Sequence, residues 1–286
     1  MDREPVYQML SQFTGDRSKL FAALRTLPLD VVGDVLLHIP GEYQALRNSL
    51  PSMAADQDQL NWTGSSGYTL LMQSSAFVRT LENNYLRITG KQLSDAKILD
   101  FGCGWGRLIR LMYKYSEPDN IYGCDPWDMS IDKCKEHNIQ ANLALSEYLP
   151  ESLPFPGVKF DLIYSFSVYT HLSKKAITQT LRACRDSIAD NGVLAITIRP
   201  KSYWDYHVDT VDKVDRDKMK ALHDTIGFAH TGHAQRVQAD GETLYGDTSM
   251  TIDYIKKNWT EWTVVGSDIF LQDPFQTVVF LQPAGR

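Results

Sequence analysis

Cysteine is scarce in this chain: four residues in 286, with no C-x-x-C pair among them. That argues against a disulfide framework and against the usual spacing of a zinc site. Cys103, Cys124, Cys134 and Cys184 are expected as reduced, mostly buried thiols, the first two at the ends of buried strands. Long apolar runs are missing as well; nothing approaches the eighteen or so residues of a membrane span. The first residues, MDREPVYQML, lack the charged, apolar, then small order of a secretory signal, so a cytoplasmic protein is expected. There is no long basic run and the net charge is −6, so no large nucleic-acid footprint is expected. Internal repeats and low-complexity tracts are absent. What remains is the length and composition of one large α/β domain, with room for a modest addition.

One stretch organises that domain: Lys97 to Arg110, KILDFGCGWGRLIR. Ile98, Leu99 and Phe101 form a short apolar run that carries one acid, Asp100. Three glycines follow at alternate positions, Gly102, Gly104 and Gly106, and then Leu108, Ile109, Leu111 and Met112. The pattern predicts a buried strand, a tight turn, and a helix that begins at once. Glycine gives the turn its backbone freedom and lets a ligand approach the main chain. The new helix would aim unpaired N–H groups at the same spot, a binding site for a small polar molecule. Arg107, in the expected first helical turn, is read as reaching solvent, because the helix dipole disfavours positive charge there.

Residues 1–60 read as a separate helical extension. Leu20, Phe21, Leu24 and Leu27 form one stripe and Val32, Leu36 and Ile39 another, punctuated by Pro28 and Pro40. Such stripes are packing surfaces, to be docked on the main domain or on a second subunit in a homo-oligomer. The segment Asn61–Gln73 changes texture: it is small-residue-rich, bears Trp62 and Tyr68, and precedes a helix with Leu71, Phe77, Val78, Leu81 and Tyr85. A lid over a ligand and a plain connector are equally good readings of it.

Past the glycines, strand and helix alternate. Strands are expected at 120–125, 141–145, 160–165 and 193–198, with helices at 130–137 and 173–189. Asn191–Gly192 is read as the turn into the fifth strand. This spacing argues for a doubly wound parallel sheet. Residues 200–259 break the pattern as an insertion. It holds an aromatic loop (Tyr203, Trp204, Tyr206, His207) and a charged helix with Val211, Val214, Met219, Leu222 and Ile226. A segment around 228–237, a glycine-punctuated turn at Tyr245–Gly246 and a helix over 249–259 complete it. Two last strands, 263–270 and 277–281, are close enough for an antiparallel hairpin.

Two nucleotide ligands compete for the glycines. A dinucleotide fingerprint is G-x-G-x-x-G, whereas here the spacing is G-x-G-x-G with Arg107 where the third glycine belongs. Asp125 lies about 20 residues past the glycines, the spacing of a carboxylate that grips ribose hydroxyls of either cofactor.

DFGCGWGR with Asp125, then FDLIYSFSVYTHLS (160–173) and DNGVLAITI (190–198), resembles the class I S-adenosylmethionine-dependent methyltransferases over residues 61–286. Within them it is similar to bacterial enzymes that methylate sugars, glycans or secondary metabolites. The resemblance implies a Rossmann-like seven-stranded sheet, mostly parallel with an antiparallel C-terminal hairpin strand. It also implies S-adenosylmethionine as cofactor. By the same resemblance, Asp100 and the backbone of Phe101, Gly102, Cys103, Gly104 and Gly106 would hold the methionine part. Asp125 would accept from the ribose, Pro126 or Trp127 would flank the adenine, and Ser146 would sit near its edge. Ser165 and Phe166 would face the cofactor.

Candidate bases are His171 with Tyr169 beside it, after the fourth strand, and His207 in the aromatic loop. Tyr203, Trp204, Tyr206 and Tyr245 are the candidate walls for the methyl acceptor. His230 and His233 lack metal-ligand spacing, so no metal is expected. The expected function is methyl transfer to an oxygen or nitrogen of a small polar molecule, sugar or glycan. A methyltransferase-like scaffold without chemistry and an NAD-dependent oxidoreductase are the alternatives.

Overall fold

A computed structural model describes residues 3–206, 214–233, 238–239, 241–269 and 271–285. Contacts divide the chain into two compact units, Met1–Leu145 and Ser146–Arg286.

The first unit begins with helices α1 (Glu4–Ser11), α2 (Arg17–Thr26), α3 (Leu29–Leu37), α4 (Gln44–Ser49), α5 (Asp56–Thr63) and the long α6 (Gly67–Thr89). Asp16 caps α2 by accepting from the Lys19 N–H, and Pro28 punctuates the entry to α3. Then come β1 (Ile98–Phe101), α7 (Ile109–Met112), β2 (Ile121–Asp125), α8 (Asp128–Glu136) and β3 (Asn142–Leu145). Every residue of β1 is buried, as expected of a parallel strand covered on both faces. β2 pairs in parallel with β1 and with β3.

The expected boundary at residue 60 falls inside this unit. Phe21 packs edge-on against Tyr113 at 4.8 Å, and Arg25 pairs with Glu117 while Lys114 donates to the Arg25 carbonyl at 2.6 Å. Of the two sequence stripes, Leu20, Phe21, Leu24, Val32 and Leu36 are buried and Leu27 and Ile39 half-buried.

The second unit contains β4 (Phe160–Ser165), α9 (Lys174–Ser187) and β5 (Ile188–Ile198), then α10 (Tyr203–Tyr206), α11 (Arg216–Ile226) and β6 (Phe228–Gly232). It continues with β7 (Gln238–Ala239), β8 (Glu242–Thr243), β9 (Gly246–Met250), α12 (Ile252–Asn258), β10 (Trp262–Ile269) and β11 (Thr277–Pro283). β5 pairs in parallel with β4 and antiparallel with β11, which also pairs antiparallel with β10. The strand order is β10-β11-β5-β4-β1-β2-β3, a seven-stranded, mostly parallel sheet of the Rossmann-like kind. The last hairpin supplies the antiparallel edge. A separate two-stranded sheet, β6 with β9, belongs to the insertion.

Several local expectations are corrected. Asn191–Gly192 does not separate helix from strand: β5 already begins at Ile188, and the pair falls where the register against β4 shifts between Phe160 and Leu162. Gly192 is required there, since a Cβ would stand 2.8 Å from the Phe160 carbonyl oxygen. Gly246 opens strand β9 instead of a turn, with its backbone pressed against Thr231, and the helix expected over 249–259 is confined to 252–258. Val211, the segment 234–237 and Phe270 lie outside the described residues.

Candidate active site

The glycine turn is tied to its neighbour strand: the N–H groups of Gly102 and Cys103 both donate to the Cys124 carbonyl, at 2.8 and 3.0 Å. Gly102, Gly104 and Gly106 have φ of +82°, +52° and +78°, a region that penalises any residue with a side chain. A Cβ on Gly106 would stand 2.9 Å from Ile139, so this glycine lets the turn pack on the chain after α8. At Gly104 the nearest atom to such a Cβ is Trp62 Nε1, 3.7 Å away.

No long helix follows at once. Residues 104–108 continue as turns, and α7 has only four residues. The dipole assigned to that helix is correspondingly small. What holds the turn instead is Arg110, whose guanidinium is buried. Its Nη1 donates to the carbonyls of Trp105 (3.2 Å) and Gly106 (3.1 Å), and its Nη2 donates to the carbonyl of Ser52. The group lies 4.8 Å over the Trp105 ring, and burial pushes its pKa down to about 10. Arg107 does not run out to solvent: its Nη1 turns back to Ser74 Oγ on α6 at 3.4 Å.

Asp100 is buried in β1 and Asp125 ends β2. The Asp125 carboxylate accepts from the Gly104 N–H at 3.0 Å through Oδ2 and from the Trp127 N–H at 2.9 Å through Oδ1. Burial raises its pKa while these two donors and the Ser130 hydroxyl oppose the rise. A desolvated carboxylate with three donors keeps a lone pair for one more, which a ribose hydroxyl matches. The turn without side chains and this acid therefore fit an adenosine-bearing cofactor. Pro126 and Trp127 follow directly; Trp127 is 39 % exposed, and its ring lies 5.1 Å from that of Trp62.

In the second unit, Ser146 is buried and its hydroxyl has no partner among the described residues, another polar atom suited to a ligand. Ser165 ends β4, and after Phe166 comes Ser167 at φ +58°, a strained conformation for a residue with a side chain. Ser167 is held on three sides. Its N–H donates to Thr197 Oγ1 (2.7 Å), its hydroxyl meets Thr170 Oγ1 (3.3 Å), and it accepts from Gln276 Nε2 (3.1 Å). Gln276 is itself buried, and its Oε1 has no partner among the described residues.

Arg199, one residue past β5, connects this corner to the insertion. Its Nη1 donates to the Thr170 carbonyl (2.9 Å) and to Asp247 Oδ1 (2.5 Å), its Nη2 to His171 Nε2 (3.0 Å), and the guanidinium lies 4.0 Å over the Tyr203 ring. Asp247 accepts in addition from the Tyr203 hydroxyl (2.8 Å) and, through Oδ2, from His233 Nε2 (2.9 Å). His171 donates from Nδ1 to the Gly246 carbonyl (2.7 Å), so both of its ring nitrogens are engaged. Burial, reinforced by Arg199, pushes its pKa down to about 3. Tyr245 stacks on its face at 4.9 Å. His233 differs: Nε2 faces the buried Asp247, while Nδ1 has no hydrogen-bond partner among the described residues.

The sequence candidates thus fall in different places. Tyr169 is wholly buried, with Trp259 packed 6.1 Å from its ring. Trp204 is equally buried, its Nε1 donating to Ser249 Oγ at 2.8 Å, in a cluster with Met219 and Ala229. Tyr203 and Tyr206 flank Phe275 at 6.1 and 5.3 Å, and Tyr206 is exposed. His207 lies outside the described residues. Sequence reasoning passed over Ser167, Arg199, Asp247 and Gln276. Arg199 had a local signal, a charge directly after an apolar strand; the others are assembled only by the fold.

Residues 98–192 match the family model described as "Methyltransferase domain". No curated protein matches the chain. Among solved structures, magnesium protoporphyrin IX methyltransferase (ChlM) from Synechocystis PCC 6803, with bound S-adenosylhomocysteine, is 12% identical with a TM-score of 0.50 over 80% of this chain and 94% of that one. The PH0226 protein from Pyrococcus horikoshii OT3 is 14% identical with a TM-score of 0.50 over 73% and 90% of the two chains. Nothing in these matches favours an NAD-dependent oxidoreductase or a scaffold without chemistry. Residues 98–192, which hold the glycine turn and the ribose-spaced Asp125, thus match a methyltransferase domain, and the chain shares the fold of these solved structures.

Proposed function

We propose that the enzyme methylates an oxygen or nitrogen of a small polar molecule, sugar or glycan. The observation that carries the reading is the polar, aromatic corner after β4 and β5, built from Ser167, Arg199, Tyr203, Asp247 and His233. S-adenosylmethionine, when bound, supplies an electrophilic methyl group on a sulfonium. The chain's own task is then to bind, orient and exclude water. Asp125 holds a ribose hydroxyl, and Phe101 to Gly106 with Asp100 receive the amino-acid part along the bare backbone. Pro126 and Trp127 flank the adenine, Ser146 meets its edge, and Ser165 with Phe166 line the cofactor side of the second unit. Tyr203, Tyr206 and Tyr245 are the acceptor walls.

The base in this reading is His233. His171 lacks a free nitrogen, because Arg199 occupies the lone pair that would take a proton. His233 has the arrangement of an oriented base: a buried carboxylate fixes Nε2–H and leaves Nδ1 to receive a proton from an acceptor hydroxyl. Asp247 is the positioning residue, itself fixed by Arg199 and Tyr203.

The test has two arms. Calorimetry with S-adenosylhomocysteine should give micromolar binding that Asp125→Ala weakens by about tenfold or more; indistinguishable wild-type and variant titrations would sink the cofactor geometry. A screen of sugars, phenols and amines with methyl-labelled cofactor should find an acceptor whose turnover His233→Gln abolishes while cofactor binding persists. Full turnover in that variant removes the base assignment.

A further inference from the structure

We propose that Trp62 is a wall of the cofactor site, packing against the adenosine part of S-adenosylmethionine; this rests on the cofactor assignment above. Trp62 stands in the last turn of α5, far from the glycines in sequence, yet its Nε1 is the atom nearest to the missing Cβ of Gly104. Gly104 is also the residue whose N–H is held by Asp125. On its other side the indole meets Trp127, with ring centres 5.1 Å apart and planes tilted by 36°. Glycine turn, ribose-spaced acid and adenine-flanking ring are thus all touched, directly or through one bond, by a single side chain of the N-terminal extension.

Trp62 packs on the Ala54, Leu70 and Trp105 cluster but is only partly buried, and its N–H makes no hydrogen bond among the described residues, so it can donate to a ligand. The chain just beyond is pinned to α5 through Thr63 and Gln59. Gly64 at φ +73° and Gly67 at φ +56° bracket the link to α6, and nothing lies within 4 Å of a Cβ at either position. Behind that link α5 is fixed: Gln59 Nε2 donates to the Ala54 carbonyl at 2.7 Å, and its Oε1 accepts from the Gly67 N–H at 3.1 Å. Lys133 of α8 pairs with Asp58 at 3.1 Å. The anchored helix thus holds the indole beside Gly104 and Trp127, and the surface it leaves uncovered there is the one offered to the adenosine. The segment read from sequence as either lid or connector is, on this inference, a fixed wall with one working side chain.

The experiment uses the full chain, with S-adenosylhomocysteine and adenosine as calorimetric probes, on wild type, Trp62→Ala, Trp62→Leu and Trp62→Phe. Trp62→Ala and Trp62→Leu are expected to weaken both probes by about tenfold or more, the scale of one lost base–aromatic stack, and Trp62→Phe to stay within about threefold of wild type. Leucine keeps apolar volume where alanine leaves a void, so a melting curve that disqualifies the alanine variant leaves the leucine variant to decide. Wild-type affinity in Trp62→Leu overturns the proposal. Failure of wild type to bind either probe overturns the cofactor assignment itself and the proposal with it, an outcome visible before any variant is made.

Discussion

Acidification should unsettle the second unit through His171. An ordinary imidazole titrates near 6.5; that of His171 is pushed down to about 3 by burial and by the Arg199 guanidinium 3.0 Å from Nε2. Between these two values the unfolded chain binds a proton that the folded chain refuses. The stability tied to the neutral ring is therefore fully present above pH 6.5 and is lost as pH falls toward 3. At pH 5 the unfolded imidazole is about 1.5 pH units below its midpoint, and at about 1.4 kcal/mol per unit the loss is about 2 kcal/mol. This is an upper value, because the side chain keeps 17% of its surface exposed. Urea unfolding of wild type and His171→Asn at pH 7.5 and pH 5.0 isolates the effect, since the other titrating groups are common to both proteins. Wild type should lose about 2 kcal/mol more than the variant over this interval. Parallel losses would refute the reasoning, for they would mean that the ring accepts its proton in the folded state.

Three further outcomes follow from the first unit and the thiols. Gly106→Ala places a Cβ 2.9 Å from Ile139 at φ +78° and is expected to cost about 1–3 kcal/mol, read as a lowered melting temperature; an unchanged melt would show that the turn relaxes freely. Arg110→Met strips three carbonyls of their buried donor and should lower stability by about 2–5 kcal/mol in urea, and an unmoved midpoint would show that water replaces the guanidinium. All four thiols are buried, and burial pushes that of Cys184 up to about 12, so a thiol reagent at pH 8 should find none of them until the chain is unfolded. Rapid reaction of any one in the native protein contradicts its placement.

The fold was legible wherever period and punctuation speak locally. The apolar run before Gly102, the alternation through Ile198 and the final hairpin all lie where pattern places them. Errors fell where tertiary packing overrides local chemistry. Asn191–Gly192 has turn composition, but the register shift between β4 and β5 absorbs it. The helix expected after Gly106 was cut to one turn while Arg110 took over the free carbonyls. The glycine turn and Asp125, proposed above to hold the cofactor, could be read because they keep a fixed spacing along the chain. The corner proposed for the acceptor could not, because Arg199, His233 and Asp247 are brought together by β5, β6 and β9, and no spacing in the sequence records that convergence.

The Arg110 clasp constrains how such a chain can change by descent. The carbonyl of Ser52 and the carbonyls of the glycine turn share one buried cation, so neither the helical extension nor the turn can be exchanged for a foreign counterpart without stranding a charge or an acceptor. The extension and the glycine turn therefore have to change together, and a shortened chain starting after residue 60 would carry a turn already missing one of its props.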